Sequence, residues 1–172
     1  MRLMSRAALA FAAVLVAAPA LRAQTSFSIA AGAAAPIGST ADDLKMGYNA
    51  TVGLGIKPPV APLGLRFEGM LNQMDFKTSG LGSARLISGS ANVTLSGPAV
   101  PMGYLIGGVG MYNVAFPDLA NVDAENKVGF NIGAGLNFPL TGFGTFLEAR
   151  LHVVNTEGQS MKFVPVTFGI KF

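Results

Sequence analysis

The residues best equipped for chemistry in this chain sit on two short segments. Arg66 and Glu68 are spaced by two, and Glu148, Arg150 and His152 repeat that spacing. In an extended chain, residues two apart share a face, so each segment presents its ionisable groups to one side. Such a set supports three kinds of chemistry. Opposite charges can pair and plug a confined interior; charges along a dry path can relay ions or protons; an imidazole beside a hydroxyl can activate a nucleophile. The first fits best. His152 is the sole histidine, and the residue two beyond it is Val154 rather than a hydroxyl. A serine partner from elsewhere, such as Ser88 or Ser90, is not recommended by any spacing, so no catalytic residue is assigned.

Metal and cofactor chemistry find little to stand on. Asp42 and Asp43 form one acidic group, and Asp118, Asp123 and Glu125 another, but neither has the ligand spacing or turn glycine of a calcium loop. They read as solvated loop carboxylates, with cation bridging to a lipid surface as the alternative. The 22 glycines include no phosphate-cradling loop ahead of a helix. With no Cys, a disulfide framework, a thiolate metal site and a thiol nucleophile are all excluded. No cofactor and no metal are expected.

The elements that must position the charges are strands. Proline-bearing turns at 57–63, 97–101 and 139–142 recur about every forty residues, and polar loop-like stretches at 38–46, 75–83, 117–126 and 155–162 alternate with them. Eight strands follow, near 26–37, 48–56, 63–74, 85–95, 102–114, 127–138, 144–154 and 163–172. Alternation is clearest in the sixth, where Val128, Phe130, Ile132, Ala134, Leu136 and Phe138 face one way and Gly129, Asn131, Gly133, Gly135 and Asn137 the other. The fifth is ambiguous, because Tyr104, Leu105 and Ile106 are apolar on both faces. Throughout, one face is large and apolar while the other is small or polar. A soluble barrel with an apolar lumen would put Arg66, Glu68, Glu148 and Arg150 against its ligand. A barrel with lipid outside accommodates the same pattern. The third and seventh strands then lie on opposite walls, so that Arg66 approaches Glu148 and Glu68 approaches Arg150.

Composition places the chain in an envelope. Arg2 and Arg6 precede an apolar run at 7–20 too short for a comfortable membrane helix, and small residues at Ala18, Ala20 and Ala23 follow it. Residues 1–23 are therefore expected to be a cleaved signal peptide, with Ala20 as the second choice of site, and residues 24–172 a single barrel domain. Three of the 12 basic residues leave with the leader, so the remainder balances its 9 acidic residues at zero formal charge. A nucleic-acid partner is thereby disfavoured. Phe27 and Phe138 near one set of strand ends, with Tyr48, Tyr112, Phe116 and Phe163 near the other, are expected to form two interfacial aromatic girdles.

The final strand carries the strongest signal. Val164, Val166, Phe168, Ile170 and Phe172 occupy alternate places and end on an aromatic residue. This resembles the terminal strand of bacterial outer-membrane barrels, which implies that these residues are read by the barrel-assembly machinery. With GAAAPIG at 32–38 and YLIGGVG at 104–110, the whole of 24–172 resembles the small outer-membrane β-barrel family that includes OmpA- and OmpX-type domains. That resemblance implies an all-β, eight-stranded, antiparallel up-and-down transmembrane barrel, monomeric, in the bacterial outer membrane with both mature termini periplasmic. Its partners would be membrane lipid and lipopolysaccharide. A non-enzymatic envelope-stabilising, surface-interaction or narrow porin-like role follows. A passage for small hydrophobic molecules, using Met70, Met74 and Ile106, is a second reading. A lipid A–modifying enzyme centred on His152 is a third, implied by the similar size and fold of the deacylases. Pro165 departs from the family pattern, and a bulge is expected there. Deleting Phe172 is expected to lower the yield of folded, heat-modifiable barrel in the membrane while leaving secretion intact; unchanged folded yield would contradict the assembly reading.

Overall fold

The computed structural model describes residues 24–58, 62–97, 102–118, 123–156 and 160–172. The expected signal peptide lies outside the described residues. Eight strands form a closed barrel in which each pairs antiparallel with its chain neighbours: β1 (Gln24–Pro36), β2 (Gly47–Lys57), β3 (Leu63–Asp75), β4 (Ser83–Ser96), β5 (Gly103–Ala115), β6 (Glu125–Pro139), β7 (Gly144–Asn155) and β8 (Ser160–Lys171). One short helix, α1 (Thr40–Asp43), lies between β1 and β2. The strand bounds differ from the sequence expectation by up to three residues, most at β8, where Met161 and Ser160 extend the ladder opposite Val154 and Asn155.

Closure is staggered. From Ser26 the register runs through Gly55, Arg66, Asn92, Gly108, Asn131, His152 and Phe163 and returns to β1 at Pro36, ten residues above its start. An eight-stranded sheet with this stagger has strands tilted to the axis and a lumen just wide enough to be filled by side chains. Every strand therefore contributes alternate residues to one shared interior.

Which residues face inward decides the medium outside. Asn49 and Asn131 are 2% exposed and Arg150 3%, whereas Leu105, Ile132 and Met111 are each about 60% exposed. Burying amides and charges while presenting bulky apolar side chains is the reverse of a water-soluble barrel. It suits hydrocarbon, where closure pairs the backbone of each strand with both neighbours without water. Among the described residues no helix is long and apolar enough to cross a membrane.

Alternation also settles β5, whose even-numbered residues, Tyr104, Ile106, Tyr112 and Val114, point inward. Tyr112 is therefore not a girdle residue. Nor is Phe163, which is fully buried: if Val164, Val166 and Phe168 face out, period two requires Phe163 to face in. Phe116 is half-buried and packs on Phe76 over the barrel end, ring centroids 5.9 Å apart. Phe27, Tyr48 and Phe138 do lie on the exterior. The bulge expected at Pro165 is absent. The β7–β8 register is the same on both sides of it, and the ladder merely skips Arg150 and Leu151, while Pro165 stays paired with Ala34 of β1. A missing N–H toward one neighbour is accommodated by a gap rather than an extra residue.

Glycines shape the interior more than the exterior. A Cβ on inward Gly133 would meet the Ala149 carbonyl and the Arg150 stem, while one on outward Gly89 would meet nothing within 4 Å. Gly133→Ala is thus expected to cost about 1–3 kcal/mol through overpacking, and Gly89→Ala less than about 0.5 kcal/mol. Urea unfolding in lipid vesicles would compare them, and equal losses would contradict the packing account.

Candidate functional site

The lumen charges meet in one ring. Arg66 on β3 pairs through Nη2 with Glu148 Oε2 across the lumen, and Arg150 on β7 reaches Glu68 with Nη1 to Oε2 at 2.5 Å. Two further contacts join residues on the same strand: Arg66 Nε to Glu68 Oε1 at 3.1 Å and Arg150 Nε to Glu148 Oε1 at 2.8 Å. Charges alternate around the four members, so each guanidinium touches both carboxylates. The cross-lumen pairs correspond to the sequence expectation. The same-strand pairs arise because residues two apart on one face can fold their long side chains together inside a narrow tube.

Neighbours that the sequence reading did not single out complete the ring. The Tyr104 hydroxyl donates to Glu148 Oε2 at 2.6 Å, and Asn92 Nδ2 donates to Glu68 Oε2 at 2.8 Å. Asn131 then donates to Asn92 Oδ1 at 2.8 Å, extending the network to β6. The Arg66 guanidinium lies over the rings of Tyr104 and Phe146, at 5.7 and 5.9 Å from their centroids. The signal for Asn92 was available in register, since it pairs directly with Arg66. Tyr104 was hidden by the two-faced apolar run of β5.

His152 stands apart from the ring. Its Nδ1 is 2.8 Å from the Tyr112 hydroxyl, and its ring stacks on Phe163 with centroids 5.0 Å apart. The side chain is fully buried, and among the described residues Nε2 has no hydrogen-bond partner. Neither Ser88 nor Ser90 bonds to it; Ser90 instead accepts from Asn92 at 3.1 Å. An imidazole held between a phenol and a phenyl ring, with no path to solvent, is arranged as packing.

Above His152 the lumen turns apolar. Leu44, Met74, Leu86, Val114, Val154 and Phe163 form a buried cluster, with Phe76, Phe116 and Met161 packed against it. Met70 and Ile106 are buried lower down. The loop between β1 and β2 covers this end. Thr40 in α1 accepts from the Lys162 backbone N–H at 2.9 Å, and Leu44 bridges to Phe76, which seats Leu44 over the cluster. Asp118, considered above as a loop carboxylate, accepts from the Ser83 backbone N–H at 2.9 Å and from its hydroxyl at 3.2 Å. The site thus comprises a charged ring below an apolar stopper.

Comparison with solved structures returns the same architecture. Neisserial surface protein A (NspA) is 11% identical, with 87% of this chain and 97% of that one covered and a TM-score of 0.69. Ail, the attachment invasion locus protein of Yersinia pestis, is 18% identical over 87% of this chain and 99% of its own, with a TM-score of 0.52. The N-terminal β-barrel domain of Pseudomonas aeruginosa OprF is 17% identical over 88% of this chain and all of that one, with a TM-score of 0.50. At such identities the likeness is one of fold, that of the small eight-stranded outer-membrane barrels. No family model and no curated protein sequence matches the chain.

Breaking the ring tests its coupling. Glu148→Gln is expected to destabilise the barrel by about 3–5 kcal/mol, because both arginines lose a partner in a confined interior. Adding Arg66→Gln to it should cost clearly less than the sum of the two single changes. Strict additivity in vesicle unfolding would show that the two side chains do not interact.

Proposed function

We propose that this protein is a non-enzymatic barrel of the bacterial outer membrane, acting through its lipid-facing wall and its outer loops rather than as a conduit. The observation that carries this reading is the doubly sealed lumen. Solute entering from the end with the chain termini meets the ring of Arg66, Glu68, Glu148 and Arg150, and beyond it the cluster around Met74, Leu86 and Phe163. Opening such a path would separate four mutually paired charges and unpack a dry cluster. A narrow porin-like role is disfavoured on that ground.

The outer-membrane location follows from the apolar exterior and from the company of the fold. Both termini would then be periplasmic, with Val164, Val166, Phe168, Ile170 and Phe172 recognised during assembly, and the loops around α1 and Asp118 would face outward among lipopolysaccharide. Monomeric membership of the envelope, with a stabilising or surface-interaction role, suits a chain whose loops are short. The neighbours' printed names, a surface protein and an attachment invasion locus protein, are compatible with that role. A passage for hydrophobic molecules gains little support, since Met70, Met74 and Ile106 are tightly packed. A lipid A–modifying activity gains less, since His152 is enclosed by Tyr112 and Phe163.

Reconstituted into planar bilayers, the purified barrel is expected to give no sustained conductance steps. Regular ohmic steps from the unaltered protein would overturn the closed-barrel proposal.

A further inference from the structure

The barrel end that carries the chain termini opens into a cup. Its inner part, about 110 Å³, is walled by Ser26, Thr94, Ser96 and Asn137 and by two lysines, Lys57 and Lys171. Arg66, Tyr104 and Phe146 close its floor, so the cup is a dead end rather than a pore mouth. By parity both lysines follow the inward sets of their strands, Lys57 with Asn49 and Thr51, and Lys171 with Thr167 and Phe163, and both are exposed at the strand ends, where they line the cup. One place along either strand, the ammonium would sit on the wall and could extend toward lipid headgroups. Here two cations share one concavity.

Among the described residues no acidic side chain balances them. Glu68 and Glu148 are committed to the arginines of the ring, and every other acidic residue among the described residues, at 42–43, 75, 118, 123 and 125, lies toward the opposite end. The segments between β2 and β3 and between β4 and β5 that lie outside the described residues, 59–61 and 98–101, contain no charged residue. Among the described residues neither lysine forms an ion pair, with the Phe172 carboxylate or any other; Lys171 donates only a long hydrogen bond, 3.4 Å, to Asn137 Oδ1. Like charges held together in a partly enclosed space raise the local potential and favour a counter-anion.

The shape and charge of the cup select the anion. Two unbalanced ammoniums match the roughly −1.5 to −2 of a phosphate monoester better than the single charge of a carboxylate. Hydroxyls of Ser26, Thr94 and Ser96 and the Asn137 amide supply neutral donors for its several oxygens. The inner part, about 110 Å³, has room for one tetrahedral oxyanion. Whatever bears the phosphate must extend into the wider outer basin, about 620 Å³, which shares both lysines and adds Met102, Leu140, Phe143 and Phe172.

We propose that this cup is a binding site for the terminal phosphate group of a molecule approaching from the side of the chain termini. The compartment it serves rests on the orientation proposed above, while the binding itself does not.

The test uses the folded barrel in maltoside micelles, which contain no phosphate. Inorganic phosphate should shift the Thr94, Ser96 and Asn137 amide signals saturably, with a midpoint in the millimolar range. The double variant Lys57→Gln/Lys171→Gln should weaken this at least tenfold, and Lys57→Arg/Lys171→Arg should retain it. Each single Gln variant should show a smaller loss, which keeps the comparison available if the double variant folds poorly. Short-chain phosphatidic acid and glycerol phosphate then separate the sources: tighter binding of the first identifies a lipid headgroup, and equal binding a soluble phosphate ester. Shifts that never saturate, survive the double Gln variant, or follow acetate as well as phosphate would overturn the proposal.

Discussion

A sheet that crosses hydrocarbon must leave no strand edge unpaired, and from this constraint the rest of the structure follows. Each unpaired backbone group in lipid costs several kcal/mol, so the sheet closes on itself and the exterior can carry nothing that seeks water. Period two then forces every second residue into the lumen, whatever its chemistry. The interior of an eight-stranded tube is narrow, so those side chains must satisfy one another. Arg66, Glu68, Glu148 and Arg150 do so as a closed ring, with Tyr104 and Asn92 each donating one further hydrogen bond to a carboxylate.

A buried ion pair is weak evidence of stability, since desolvation often exceeds the attraction gained. The comparison differs here. The inward positions are lined by Asn49, Asn72, Thr51 and Thr167 as well as by the ring, so the charges are placed among polar groups rather than in an oily core. Each member of the ring has two partners of opposite sign, which spreads the cost of immobilising its side chain over two contacts. The ring also depends on register. Arg66 and Glu148 meet only if β3 and β7 keep their relative height, and that height depends on the ten-residue stagger of the whole barrel.

The two ends of the barrel are chemically unlike. One is stoppered by Met74, Leu86, Val114 and Phe163 under the loop that seats Leu44, and acidic residues such as Asp43 and Asp118 surround it. The other is an open cup bearing Lys57 and Lys171 above the floor of Tyr104 and Phe146. Such asymmetry suits a protein whose two faces meet different solutions. Between them the lumen is filled by the charged ring and the apolar cluster.

Period-two alternation, turn residues and the final aromatic strand determined the strand count, the antiparallel order and the sign of the interior, because these depend only on neighbours along the chain. Where Tyr104, Leu105 and Ile106 were apolar on both faces, that local signal vanished and the direction of Tyr112 was lost with it. Phe163 was misplaced because its position at a strand end suggested an interface, although parity with Val164 already turned it inward. Contacts between distant strands were the business of the tertiary structure. The Asn92–Asn131 extension and the seating of Leu44 both depend on stagger, and stagger is set by the closed ladder as a whole. The sequence by itself thus determined which residues enter the lumen and which charges face each other across it; closure decided the remaining contacts, because height in a barrel is a property of all eight strands together.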